Sequence, residues 1–445
     1  MNRRKFLQQT GWLTAGTYLL PALIESCKKS DWDNTASFQG EVIIIGAGIS
    51  GLYAAEMLMR QGVSVKILEA TSYWGGRIRT FPEATDSFQN AHQRIVKGEF
   101  SVLSDLLRHQ NIALTEKTGS ELYYFTGSLN SETEANQNTF FQDMLQAVES
   151  LRAFDGTDIS AQAYFEALDI STNVESIYNV LAGQVYGTSA DRISAQGIAR
   201  QYQHWSAGKS EYTIPSNLLL QAIEQALPGA LSAIQYDTTI SSIDYSSSKI
   251  TMQDTSGASY MCDRLLCTVP LSILQNGSIS FTPPLTGAKQ NALSRVGIDM
   301  CYCALFKLQT ALWPTDTQRI IGDDIVQSFE VSDDGWVYAE VSGTQAETLA
   351  SIFGDPLSII QSQFDQLYPG SINQITQGAV QQLPGNRSYD PVGVGDARKV
   401  LASSLGNKVF FAGEATHTGG HHGTMHGAME TALRVVTEIT HGGTA

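Results

Sequence analysis

The sequence predicts an α/β fold of two domains, and three observations carry that prediction. An apolar run, Glu41 to Ile45, meets the glycines Gly46, Gly48 and Gly51 and passes into helix-forming sequence. A second apolar run, Lys408 to Ala412, again reaches glycine before a helix that starts near Thr424. The chain has 445 residues, 42% hydrophobic and 16% charged, enough for two or three domains with a large core.

The first run is short, β-branched and bounded by glycine, which reads as a buried parallel strand. Leu52 to Gln61 forms the helix, with Gly62 as its C-cap, and Ser64 to Ala70 is the next strand. In such a unit Gly46 permits the tight turn, Gly48 lets the backbone approach a pyrophosphate, and Gly51 lets the helix pack on the strand. The helix N-terminus offers N–H groups and a positive dipole end to the phosphates. Glu69, at the end of the second strand, suits the hydroxyls of a ribose. The pattern indicates a dinucleotide without separating a nicotinamide cofactor from a flavin.

Net charge is −16, from 28 basic and 44 acidic residues, and no basic stripe meets the needs of a nucleic-acid partner. At the N-terminus, Arg3 and Arg4 precede Phe6, Leu7 and a modest apolar run, which resembles a twin-arginine export signal. That run is short for a bilayer span and contains Pro21; "LIESC" ends at Cys27 as an imperfect lipobox, a possible lipid anchor. An exported, periplasmic or envelope-attached protein is the expectation. The polar run Ser120 to Asn138 reads as a surface excursion. Cys262, Cys267, Cys301 and Cys303 fall in strand-like segments; the spacing of the last two is poor for a bridge and wrong for a zinc site, so buried thiols are expected.

"TSYWGGRIRT", Thr71 to Thr80, adds Gly75 and Gly76 for backbone space and Arg77 as a cation for a phosphate or a cofactor edge. His417, His421, His422 and His426 crowd the loop after Glu414; packing beside a cofactor or lining a cavity is expected there, with no metal.

Taken together, "IIIGAGISGLYAAEML", "ILEATSYWGGRIRT", "DRLLCTVPLSIL", "FFAGEATHT" and "HGTMHGAMETALR" make the chain resemble the flavin-containing amine oxidase family from residue 42 to residue 436. The resemblance implies FAD. It places Gly46, Gly48, Ile49, Ser50 and Gly51 at the pyrophosphate, and Glu69 with Ala70 at the adenosine ribose. Gly75, Gly76 and Arg77 would lie beside pyrophosphate and flavin, and the Ile240 backbone would meet adenine. Gly413 and Glu414 would contact phosphate and ribityl chain, and the Met425 N–H the flavin N1 and O2 edge. It further implies an FAD-binding domain of a Rossmann-like kind from 38–115, 206–285 and 378–440, after an export signal and linker at 1–37. An α+β substrate domain would come from 116–205 and 286–377.

The resemblance also has departures. No cysteine stands in "LPGNRSYDPVGVG" to tether the flavin, so non-covalent FAD is expected. Asn386 and Thr424 occupy the places of the family's aromatic pair, with Tyr389 nearby, and Cys303 occupies that of a lysine that faces the flavin. "FQNAHQRIVKGEF" looks like the L-amino acid oxidase version of its region, in which Arg94 would clamp a substrate carboxylate. Arg94, Cys303, Tyr389 and Thr424 are therefore the candidate reaction-site residues. The implied reaction is oxidation of the C–N bond of an amine or L-amino acid, with imine hydrolysis and hydrogen peroxide formation from dioxygen. A flavin dehydrogenase or desaturase with another electron acceptor, and a non-catalytic flavin-binding protein, are the alternatives.

Overall fold

Five strands lie side by side in the order Val409–Phe411, Arg264–Cys267, Glu41–Ile45, Ser64–Leu68 and Ile234–Gln235. Every neighbouring pair is parallel. The structure is a computed structural model that describes residues 37–79, 81 and 93–441, the side chains of residues 93 and 94 excepted. The segment with Arg3, Arg4 and Cys27 lies outside the described residues.

The strand Glu41–Ile45 is apolar on both faces because both are covered. Val42 and Ile44 pack with the helix Ile49–Arg60 and the last helix, Met425–His441, whereas Ile43 and Ile45 pack against Ile240, Ile243 and Met252 of a smaller sheet. That smaller sheet runs Ser259–Cys262, Ile250–Asp254, Ile240–Asp244, Ser280–Thr282.

A second body is built on seven strands ordered Ile375–Leu383, Cys301–Leu308, Trp336–Ser342, Ser328–Val331, Thr317–Ile321, Ser120–Phe125 and Ser128–Ser131. Side-chain alternation along Cys301–Leu308 divides its two faces. Tyr302, Ala304, Phe306 and Leu308 pack on the helices Gly343–Ser351 and Pro356–Leu367 through Leu349, Ile360 and Phe364. Cys301, Cys303 and Leu305 face the other way, against Trp336 and Phe81. Helices Thr139–Leu151, Ala161–Ala167, Glu175–Ala182 and Ala195–His204 form a separate helical core beside this sheet.

Three expectations change. The run Ser120 to Asn138 is no simple excursion: it supplies a hairpin of the large sheet and the helix Glu132–Ala135, held by a Ser131–Glu134 capping box. Its polar composition fits an edge of the sheet. The strand Ile375–Leu383 pairs throughout with Cys301–Leu308, so the sheet continues past residue 377, the expected end of its segment. Helix Gly287–Arg295 packs through Ala292 and Leu293 on Ala397 and Leu401, and belongs with the cofactor side.

The glycine turn behaves as its spacing requires. Gly46 has φ of 104°, in the left-handed region. A Cβ on Gly51 would press into the Gly46 carbonyl oxygen, whereas a Cβ on Gly48 would meet nothing within 4 Å. Gly51→Ala is therefore expected to destabilise the fold by about 1–3 kcal/mol, the cost of overpacking. Gly48→Ala should leave the melting temperature of the cofactor-free protein unchanged. Thermal denaturation of both variants checks this contrast, and equal losses would contradict it.

Candidate functional site

All five parallel strands end at one edge, where Ile45, Leu68, Cys267 and Phe411 stand in register. This is the edge at which open parallel sheets bind ligands. Gly46 donates to the Leu68 carbonyl at 2.9 Å, and Ala47 N–H donates to Glu69 Oε2 at 2.7 Å. Glu69 is buried, and its second oxygen takes the Thr71 N–H at 2.9 Å and the hydroxyl at 2.7 Å. Ala70, next to it, is exposed. Thr238 N–H reaches the Glu69 carbonyl at 2.8 Å, which brings the strand start at Ile240 to the same corner.

The residues present fit a dinucleotide. No side chain caps the helix Ile49–Arg60 at Gly48, so its first N–H groups are offered to an anion. Ser50 Oγ is buried at that terminus without a hydrogen-bond partner among the described residues. Gly75 bridges Gly48, and Gly76 lies against it, which doubles the side-chain-free surface. Gly413, with φ of 123°, also leaves the space of a Cβ open. Asn386 Nδ2 is a second buried donor without a partner among the described residues.

A buried ionic network fixes this cradle. Arg77 Nη1 donates to Glu414 Oε1 at 2.8 Å and to the Asn386 carbonyl at 2.6 Å. The other Glu414 oxygen takes the Ser388 hydroxyl at 2.5 Å and the Gly423 N–H at 2.9 Å. Arg398 extends the network, with Nη1 to Ser388 Oγ at 2.8 Å and Nε to Asp390 at 2.6 Å. Burial alone would raise the Glu414 pKa, but Arg77, Ser388 and Arg398 outweigh it and hold it at about 2. Asp390 is likewise lowered, burial opposing and Arg398 prevailing. The Glu414 carboxylate is thus committed within the protein.

Thr424 caps the last helix: its hydroxyl takes the Gly427 N–H at 3.0 Å and donates to the His421 carbonyl at 2.7 Å. Met425 is the first residue of that helix, as expected. Tyr389 has a packing task that the sequence does not announce. Its ring lies on Gly297, where no Cβ intervenes, and its hydroxyl donates to Asp299 at 3.2 Å. Arg94 lies in the strand Gln93–Lys97, and its side chain is outside the described residues.

Two histidines of the loop share one carboxylate. His417 Nε2 and His421 Nδ1 each lie 2.7 Å from Glu430 Oε2. His417 Nδ1 takes N–H donors from Gly419 and His421, and His421 Nε2 takes the Ser206 N–H at 3.1 Å. Those acceptor roles put both protons on the nitrogens facing Glu430. A metal on these three residues would need the opposite tautomers, so the backbone donors argue against one. Burial lowers His422 and His426 to about 3, which keeps both neutral.

The large sheet presents Cys303 beside Phe81, Leu305 and Trp336. Phe81, which follows the Arg77 turn, packs there and donates its N–H to Gln381 Oε1 at 3.1 Å. Opposite Cys303 stands Glu340, which Arg387 Nη2 meets at 2.6 Å. A Cβ on Gly423 would touch Arg387 Cβ at 3.4 Å, so this pair borders the cofactor loop. The sequence reading missed Ser388, Asp390, Arg398, Glu430, Glu340 and Arg387; only the fold brings them to the site.

The stabilisation from Glu414 is full above its ordinary value of 4.5 and is lost as pH falls through about 2. Glu414→Gln is expected to lose about 3 kcal/mol at neutral pH and to flatten the acid limb of stability across that window. Denaturant unfolding at a series of pH values measures it; an unchanged limb would contradict the role assigned to the network.

Comparisons with known proteins agree with this geometry. Protein FLOWERING LOCUS D of Arabidopsis thaliana is 26% identical over 459 residues, 89% of this chain and 55% of its own length. Lysine-specific histone demethylase 2 of Homo sapiens is 24% identical over 471 residues, 93% of this chain and 54% of its own. The chain thus spans about half the length of the curated relatives it matches. Putrescine oxidase bound to putrescine superposes with a TM-score of 0.71 at 18% identity, over 90% of this chain and 99% of that one. Cyclohexylamine oxidase from Brevibacterium oxydans gives 0.71 at 17%, over 90% and 100%. At these identities the two structures establish the fold. A family model described as flavin containing amine oxidoreductase matches residues 49–440, and the chain belongs to that family.

Proposed function

We propose that the chain is an FAD-dependent oxidoreductase that oxidises the C–N bond of a small amine or L-amino acid. The observation that carries the reading is the open cradle at Gly48, beside the uncapped helix and the orphaned Ser50 hydroxyl, within a chain of this family. Ile49, Ser50, Gly51 and Gly413 would hold the pyrophosphate by backbone and hydroxyl donors, and Glu69 and Ala70 the ribose. A bound flavin would supply two-electron redox chemistry for oxidation of the C–N bond, with dioxygen as the electron acceptor and hydrogen peroxide as product.

The chain's own residues orient and desolvate. The helix beginning at Met425 directs its positive end beside Glu414, where it favours negative charge. Phe81, Leu305 and Trp336 make an apolar wall that keeps water off one side. Arg94 would grip a substrate carboxylate through both oxygens.

Cys303 favours a second reading. A thiol stands where the resemblance implies an ammonium, and the nearby Arg387 is already paired with Glu340, so electrons would pass to a carrier other than oxygen. We further propose export through the twin arginines, with Cys27 as an attachment point for lipid. Release of a Cys27→Ser variant from the envelope fraction tests the anchor, and unchanged fractionation refutes it.

Anaerobic mixing with amino acids, monoamines and polyamines is expected to bleach the flavin with at least one class. No bleaching by any would overturn the oxidase and dehydrogenase readings together. Peroxide yield in air then separates those two. Arg94→Lys is expected to raise the apparent KM for an amino acid; wild-type oxidation of decarboxylated amines as fast as their parent acids would refute the clamp. Acid precipitation should leave yellow FAD in the supernatant, and flavin held in the pellet would show a covalent bond.

A further inference from the structure

The cysteine spacing read as wrong for a metal lacks its third donor in sequence, and the fold supplies it. Cys301 and Cys303 lie on one face of their strand, with Sγ atoms 3.8 Å apart. Glu340 stands directly opposite Cys303 on the neighbouring strand, and the donor atoms of the three residues all lie within 4.8 Å of one another. We propose that Cys301, Cys303 and Glu340 form a binding site for a thiophilic divalent cation of the zinc class, on the sheet face beside Phe81.

Three features support the site. Two thiolates about 2.3 Å from a tetrahedral zinc ion stand roughly 3.8 Å apart, which is the observed separation, whereas a disulfide needs about 2.05 Å. The surroundings are those of a second shell. Arg387 holds Glu340 Oε1 at 2.6 Å, and the Tyr338 hydroxyl lies 3.4 Å from Cys303 Sγ and 3.3 Å from Glu340 Oε2. Charge also balances: two thiolates and a carboxylate are offset by a dication and the Arg387 guanidinium. Both sulfurs are buried, but the Glu340 side chain is 19% exposed, which leaves the site in contact with solvent on the carboxylate side. Three protein ligands leave a fourth position open. The histidine cluster at Glu430 lacks this character, because its ring lone pairs are already engaged by backbone donors.

Cadmium titration of the FAD-loaded protein, in a Cys27→Ser background, tests the site without reference to amine oxidation. A sulfur-to-cadmium charge-transfer band should grow to one equivalent and be displaced by zinc. Cys301→Ser and Cys303→Ser should each remove the band, and Glu340→Gln should weaken binding. Tyr338→Phe should weaken it by about 10-fold or more, as loss of a second-shell partner does. Cys262→Ser, at a buried thiol elsewhere, should change nothing. Flavin absorbance and circular dichroism identify variants that fold; Cys303→Ala replaces any that do not. A band that persists without both cysteines, or no band with the wild-type protein, overturns the proposal.

Discussion

The cofactor cleft is organised around one buried carboxylate. Glu414 joins Arg77 from the first nucleotide segment, Ser388 from the strand that returns from the large sheet, and Gly423 from the loop before the last helix. These residues are far apart in the chain, and Glu414 is the acceptor they share. Taking such an ion from water costs several kcal/mol, and only a full set of donors offsets that. Arg398 and Asp390 complete the set by fixing Ser388 from behind. The result is a rigid frame with backbone glycines at its surface.

That frame meets the ligand-binding edge of the parallel sheet because of chain direction alone. Parallel strands deliver all their C-terminal ends to one side, so the turns after Ile45, Leu68, Cys267 and Phe411 converge without further instruction. Gly46 and Gly51 serve the turn itself, through backbone sign and close approach. Gly48 serves what lies outside it, since a Cβ there would meet nothing within 4 Å. The same motif therefore contains two kinds of glycine, distinguishable by what a methyl group would touch.

This distinction explains how much could be read from sequence. The strand–turn–helix unit, the last helix at Met425 and the strands holding the cysteines are local, and periodicity with glycine spacing reveals them. The network partners are not local. Nothing near Ser388 or Arg398 indicates that they face Glu414, and Glu340 reaches Cys303 only through strand register. Tyr389 shows the opposite failure: an aromatic beside the expected site looked available, but the missing Cβ of Gly297 admits its ring and Asp299 takes its hydroxyl. The expected segment end at residue 377 falls inside the strand Ile375–Leu383, because composition does not change where the strand crosses it.

The departures from the family pattern fall on different elements. Gly48 and Gly413 leave open space suited to a dinucleotide, and Ser50 and Asn386 add buried polar groups without partners among the described residues. Asn386 and Thr424 stand where the resemblance implies aromatic rings, and Thr424 is engaged in capping its helix. Cys303 stands where it implies a lysine, with the Glu340–Arg387 ion pair beside it. Replacing rings and an ammonium by an amide, a hydroxyl and a thiol beside an ion pair exchanges apolar surface for hydrogen-bonding groups. The Glu414 carboxylate takes its donors from Arg77, Ser388 and Gly423, none of which lies on the large sheet with Cys303. The buried ion and the Cys303 position therefore rest on separate elements, and a change at Cys303 need not disturb the Glu414 network.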